Sequence, residues 1–286
     1  MATLQDIRRR IGSVKNTKQI TRAMKVVAAS RLRRAQERIF NARPYANQMM
    51  ELLESLAARL EQQQVPLLAR RPERKILLVL ITADRGLCGA FNANLFRTAQ
   101  HYIRERGADK VSLVAVGRKG RDFFRKRSVK MTAEYVNIFR QLEFSHAKDL
   151  ADKIIDLYIS ESVDAVDFIY NEFKSMMTQN VKVERYLPIE PMAPPEGEFL
   201  ADYIYEQPPA DILKVLLPRY VEVQVFRALL ESQAAELAAR MTAMDSATNN
   251  ADELIESLRL KLNRIRQAGI TREIIEVVSG AQSLEF

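Results

Sequence analysis

Two stretches at opposite ends of the chain set the strongest constraint on its fold. In residues 35–60, Ala35, Ile39, Ala42, Ala46, Met49, Leu53, Leu56 and Leu60 recur at alternating steps of four and three. This is the spacing of a coiled-coil seam. Residues 223–265 repeat it through Val223, Phe226, Leu230, Gln233, Leu237, Met241, Met244, Thr248, Ala251, Ile255, Leu258, Leu262 and Ile265. The doubled step of four from Leu237 to Met241 is a stutter that unwinds a supercoil locally. Helices over 2–60 and 210–281 would each run about 90 to 110 Å, far beyond a compact domain. The intervening residues are therefore expected to form a body carried on a helical shaft.

The shaft is basic at one end. The chain's whole net charge of +8 is accounted for by residues 1–40, where eleven basic side chains face only Asp6 and Glu37, and the remainder is near neutral. Such a helix suits an acidic protein, nucleic acid or an anionic membrane, and charge alone does not choose among them. Thr3 with Asp6 predicts an N-cap. The early seam of Leu4, Ile7, Ile11 and Val14 falters at Lys18 and Thr21. Residues 23–29, AMKVVAA, are apolar almost all round, more than one antiparallel partner can cover. Pro44 predicts a bend within the helix, which should stop near Gln62 to Pro66.

The middle of the chain has a different texture. Lys75–Thr82 (KILLVLIT) reads as a buried strand, followed by a helix from about Ala93 to Arg106, a strand at Val111–Val116, a short basic helix at Arg118–Lys126 and a strand near Lys130–Val136. A helix over Ser145–Ser160 then precedes strands at Ala165–Phe173 and Asn180–Leu187. Strands alternating with helices predict a mostly parallel sheet with an antiparallel edge. The prolines at 188, 191, 194 and 195 predict an exposed excursion, Tyr203–Tyr205 a last strand, and Pro208 with Pro209 the opening of the second long helix. The expected fold class is α/β: a long antiparallel coiled coil of the N- and C-terminal helices (1–62 and 208–286) with a small Rossmann-like α/β domain (73–205) inserted between them.

Catalytic chemistry finds little purchase. The loop Asp84-Arg85-Gly86-Leu87-Cys88-Gly89 lies where a doubly wound sheet binds phosphate, but it lacks the glycine spacing and the lysine of the phosphate-binding motifs. It reads as a tight turn whose glycines serve the backbone. Cys88 is the sole cysteine, so no internal disulfide forms, and only His101 and His146 are available as histidine bases. Gly117-Arg118-Lys119-Gly120 reads as a basic turn. Asp245, Asp252, Glu253 and Glu256 alternate with Arg259, Lys261 and Arg264, which predicts solvated pairing along one helix. The expectation is no catalytic residue, no cofactor and no metal site. No run of eighteen uncharged apolar residues is present and Met1–Arg10 has no apolar signal segment behind it, so the chain reads as soluble and unprocessed.

The final stretch is unusual. In Ile270–Ser283 (ITREIIEVVSGAQS), Ile270, Ile274, Ile275, Val277 and Val278 circle much of a helix, which requires an apolar collar around it. Here the chain resembles the gamma subunits of F-type ATP synthases. Ile270, Thr271, Glu273, Glu276, Gly280, Ala281 and Ser283 meet that family's C-terminal signature. The block IRRRIGSVKNTKQITRAMKVVAASRLRRA and the loop ITADRGLCGAFNANL are similar to it as well. The regulatory cysteine pair of chloroplast relatives is absent and there is no transit peptide, which favours a bacterial protein.

The resemblance implies a central rotor shaft, one copy per complex, turning inside the catalytic hexamer of α and β subunits. Its α/β domain would join the epsilon subunit and rest on the c ring, at the cytoplasmic face of the bacterial plasma membrane, touching the membrane only through partners. Met24 and Lys25 would lie near the acidic lever loop of β. Arg266 and Gln267 would engage a β loop that catches the shaft, with Thr271, Glu273 and Glu276 in the same region. The alternative is a basic coiled-coil protein that binds nucleic acid, although Phe40 is the only aromatic residue before Tyr45. A third class, an α/β enzyme with helical arms, would need Asp84 and Cys88 to act on a small substrate.

Overall fold

The computed structural model describes residues 3–57, 66–127, 129–176, 178–189 and 209–282. The chain divides into two compact units, Met1–Ala28 with Met241–Phe286, and Ala29–Arg240. Two long helices contribute to both: α1, Leu4–Ala57, and α5, Pro209–Gln282. Pro44 lies within α1, which continues through it.

In the larger unit the elements follow in order as β1 (Ile76–Ile81), α2 (Phe91–Arg106), β2 (Val111–Val116), α3 (Arg118–Phe124), β3 (Lys130–Tyr135), α4 (Phe144–Ile159), β4 (Ala165–Phe173) and β5 (Gln179–Leu187). The sheet order is β3-β2-β1-β4-β5. All neighbours run parallel except β4 and β5, which pair antiparallel at one edge. Every residue of the central strand β1 is buried, as expected of a strand covered on both faces. α4 turns a stripe of Ala147, Leu150, Ala151, Ile154, Ile155 and Tyr158 inward, and a reciprocal Glu143–His146 box caps its start.

Over residues 221–240 α5 has no exposed position, because it is covered from more than one side. Ala235 belongs to the sheet's core cluster with Leu78, Leu95 and Leu113. Tyr186 donates to the Gln224 carbonyl at 3.2 Å. From α1, the Arg38 guanidinium lies 5.8 Å from the centre of the Phe226 ring and also donates to the Leu142 carbonyl at 2.6 Å.

In the smaller unit α1 and α5 run antiparallel. Lys18 meets Asp252 at 2.5 Å, the hydroxyls of Thr21 and Thr248 lie 2.8 Å apart, and Lys25 meets Asp245 at 2.5 Å. Ile7, Ile11 and Ile255 form an apolar cluster with Val14, Leu258, Leu262 and Ile265 around it. Thr3 and Asp6 cap α1 reciprocally: the Asp6 N–H donates to the Thr3 hydroxyl at 3.2 Å and the Thr3 N–H to the Asp6 carboxylate at 3.1 Å.

Two sequence expectations need correction. Asp245 and Asp252 do not merely pair along their own helix; they reach across to α1, because they sit on the face where the seam falters at Lys18 and Thr21. Pro188 is buried, not exposed, and the next residue, Ile189, donates its N–H to the Leu67 carbonyl at 3.0 Å. The expected stop of the first helix near Gln62 to Pro66 lies outside the described residues except for Pro66, which opens a short 3-10 turn, Pro66–Leu68. The expected excursion at Pro191, Pro194 and Pro195 and the expected strand at Tyr203–Tyr205 lie outside them altogether.

Candidate partner-binding surfaces

The phosphate-type position at the carboxyl end of the parallel strands is filled by the chain's own groups. The Asp84 carboxylate accepts N–H bonds from Arg118 at 3.0 Å and Asn137 at 2.9 Å, taking a donor at the start of α3. Thr82 donates its hydroxyl to the Val116 carbonyl at 3.0 Å and accepts the Gly120 N–H at 2.8 Å. Gly117 has φ +95°, and a Cβ there would stand 2.1 Å from the Thr82 carbonyl oxygen, so only glycine fits. These glycines serve close packing.

The loop after β1 is held in a similar way. Leu87 and Gly89 take positive φ, whereas Gly86 does not; its carbonyl accepts from Arg240 of α5 at 2.6 Å. Arg240 also pairs with Glu236. Cys88 is buried and accepts from the Asn92 amide at 3.2 Å, and burial pushes its thiol up, away from the thiolate a nucleophile needs. The two histidines are engaged in helix contacts, His101 with Glu105 and His146 at the start of α4. Among the described residues, no group of three His, Cys, Asp or Glu side chains could hold a metal ion. No helix among them is long and apolar enough to cross a membrane.

What the smaller unit offers instead is exposed surface. Residues 271–280 of α5 are exposed on every side, and Ile270, Ile274, Ile275, Val277 and Val278 each leave half or more of their surface open, Val277 the most at 71%. Scattered exposed leucines or valines are ordinary, but five such residues in one stretch make a candidate partner surface. A second exposed apolar group, Ile20, Val26 and Val27, lies on α1 among its arginines.

The residues singled out from the sequence fall at two stations. Met24 and Lys25 are half-buried on α1, with Lys25 held by Asp245. Arg266, Gln267, Thr271, Glu273 and Glu276 are all exposed on α5, where the Thr271 hydroxyl donates to the Gln267 carbonyl at 3.0 Å. The antiparallel pairing puts Met24 level with the residue after Asp245, so the two stations are separated by about 30 Å of helix. They fall at two separate places on the helices and not at one. Sequence reasoning missed the Arg240–Gly86 link and a buried polar network on β4, in which Asp167 accepts from Tyr102 and from Arg185, while Arg185 also reaches Glu73 at 2.8 Å. No local pattern could have shown either, since the partners are distant in the chain.

The family model for ATP synthase matches residues 3–284. The chain is 49% identical to the ATP synthase gamma chain of Chloroherpeton thalassium, covering 100% of this chain and 99% of the relative, and 50% identical to that of Solibacter usitatus, covering all of both. Among solved structures it is similar to a chain of the Tetrahymena thermophila mitochondrial ATP synthase central stalk and c ring, with a TM-score of 0.62 and 26% identity over 80% of this chain and 99% of that one. A chain of the Euglena gracilis mitochondrial ATP synthase shares the fold at a TM-score of 0.69 and 19% identity, over 98% of this chain and 94% of that one. The chain belongs to the ATP synthase gamma-chain family.

Proposed function

We propose that this chain is the central rotor stalk of an F-type proton-translocating ATP synthase. It would couple rotation of a membrane c ring to conformational changes in the catalytic β subunits, for ATP synthesis or hydrolysis. The observation that carries the reading, beside the family match, is the exposed apolar end of α5, which a freely soluble protein would not leave in water. Enclosed by a ring of α and β subunits, that surface becomes a bearing. The chain itself makes and breaks no bonds: Cys88 is sealed, and the glycine-rich turns are filled by Asp84 and Thr82.

In this assignment the shaft is formed by residues 1–62 and 208–286, and the body by 73–205. Met24 and Lys25 meet the β subunits at one station, and Arg266, Gln267, Thr271, Glu273 and Glu276 meet them at the other. The body contacts the epsilon subunit and the c ring, with one copy per complex, peripheral at the cytoplasmic face of a bacterial plasma membrane. Exposed ion pairs contribute only about 0 to 1 kcal/mol each, so torque passes mainly through steric contact and charge orients it. The family match favours this reading over nucleic-acid binding, which the basic α1 alone would allow.

The test is reconstitution. Purified chain is mixed with α and β subunits from a bacterial ATP synthase, and complex formation and ATPase turnover are measured. A stable complex with turnover is expected. A chain that stays free of α and β, or that binds DNA with affinity falling steeply in salt, overturns the assignment.

A further inference from the structure

In the smaller unit the seam passes through the Thr21–Thr248 layer, flanked by two half-exposed ion pairs, Lys18–Asp252 and Lys25–Asp245, that lie beside the buried Ala251 and Met244 of α5. Leucine or isoleucine there would hold the helices more tightly, because polar residues in a seam lower stability while specifying register. We propose that these layers are a register lock, fixing the axial alignment of α1 against α5 and hence how far the apolar end of α5 projects beyond the start of α1.

The apolar layers do this weakly, since a slip of one heptad costs only Ile7 its partner, setting it against Gly269. Continuing the observed pairing sets Ile11 against Leu258 and Val14 against Ile255, all members of one cluster. If the helices slipped by one heptad one way, Ile11 would face Ile265 and Val14 would face Leu262, equally apolar partners. The polar layers do discriminate. That slip sets Lys18 against Arg259, a like charge, and Thr21 against Ile255, while only Lys25 finds a carboxylate again, in Asp252. The opposite slip sets Asp252 against Ile11 and Thr248 against Val14, so Asp252 loses its cation and the Thr248 hydroxyl keeps only its bond to the Met244 carbonyl at 2.7 Å, while Asp245 meets Lys18. Each wrong register therefore keeps one ion pair and loses the other together with the Thr21–Thr248 contact, a difference that hydrophobic packing alone would not impose. Thr21 is buried, and its hydroxyl also donates to the Lys18 carbonyl at 3.0 Å, so the central layer is set by bonds within α1 as well as across the pair.

Register is read by disulfide trapping in the full chain, where Cys88 is buried. Three double-cysteine reporters are made: Ile11→Cys with Leu258→Cys for the native alignment, and Ile11→Cys with Ile265→Cys or Ala251→Cys for the two slips. With the polar layers intact, only the native reporter is expected to close rapidly. Replacing all six polar residues by leucine is expected to raise thermal stability and to let a slipped reporter close at least about tenfold faster than before. If the native reporter alone still closes, the proposal is overturned. Should the leucine chain fail to fold, Lys18→Asp with Lys25→Asp is expected to slow native closure, and adding Asp245→Lys with Asp252→Lys to restore it. Native closure unchanged by the first pair, or not restored by the second, overturns the proposal equally.

Discussion

The Arg240 guanidinium donates to the Gly86 carbonyl at 2.6 Å, joining the long C-terminal helix to the loop that follows the first strand of the sheet. The same guanidinium is the partner of Glu236, and both side chains are largely buried. Removing one member of a buried pair strands the other.

Arg240→Ala is therefore expected to cost about 3 kcal/mol, seen as a lowered urea midpoint. The loss should depend on pH. Burial raises the Glu236 carboxyl above its ordinary value of 4.5, and Arg240 opposes that rise. A carboxyl raised on folding contributes stability below its unfolded pKa and loses it as pH climbs through the folded value. Without Arg240 the rise is larger, so the deficit of the variant should be small near about pH 4 and grow toward about pH 7. A deficit independent of pH would show that Glu236 is not the group left stranded.

Gly117→Ala should be among the most damaging single changes in the chain, at about 3 kcal/mol or more, because it combines positive φ with a collision against backbone. Gly12→Ala, inside α1 with open space around its Cβ position, should instead be neutral or stabilising by up to about 1 kcal/mol. Thermal melts of the two variants side by side test the contrast, and equal melting temperatures would refute it.

On β4, Asp167 is buried and relies on Arg185 and Tyr102. Arg185→Met leaves a buried carboxylate without its cation and is expected to cost about 3 to 5 kcal/mol. Tyr102→Phe removes one hydroxyl donor and should cost about 1 to 3 kcal/mol. Urea titrations that reverse this order would mean the tyrosine, not the arginine, carries the network.

Lys25→Ala separates folding from partner contact. The Lys25–Asp245 pair is more than a third exposed at both ends, so its loss should change the stability of the isolated chain by no more than about 1 kcal/mol. A clear fall in ATP-driven proton pumping by the assembled enzyme, beside an unchanged melt, would place the role of Lys25 at the β subunit. A melt lowered by several kcal/mol would place it within the helix pair.

Local signals carried most of the fold. The buried runs at Ile76–Ile81, Val111–Val116 and Ala165–Phe173 are visible as apolar stretches between turns, and the heptad spacing of Val223 to Ile265 marks a continuous helix. What stayed hidden depended on residues far apart in sequence. Asp245 and Asp252 look like ordinary solvated carboxylates until α1 is laid beside them. Arg240 has its own Glu236 four residues away, which conceals its second bond to Gly86. At the candidate surfaces, the apolar run at Ile270–Val278 was legible because greasy residues all round a helix are anomalous anywhere. The pairing of Lys25 was not, since one lysine among many basic residues carries no mark of its partner.

The seclusion of Cys88 has a practical outcome. Its sulfur is the chain's single thiol, buried within the loop after β1 against the Asn92 amide and made less acidic by its surroundings. A maleimide dye or spin label should therefore pass over the unaltered protein. A cysteine placed on any exposed turn of α1 or α5 would become its one addressable point, so a turning shaft could be followed optically without first stripping the native sequence of sulfur.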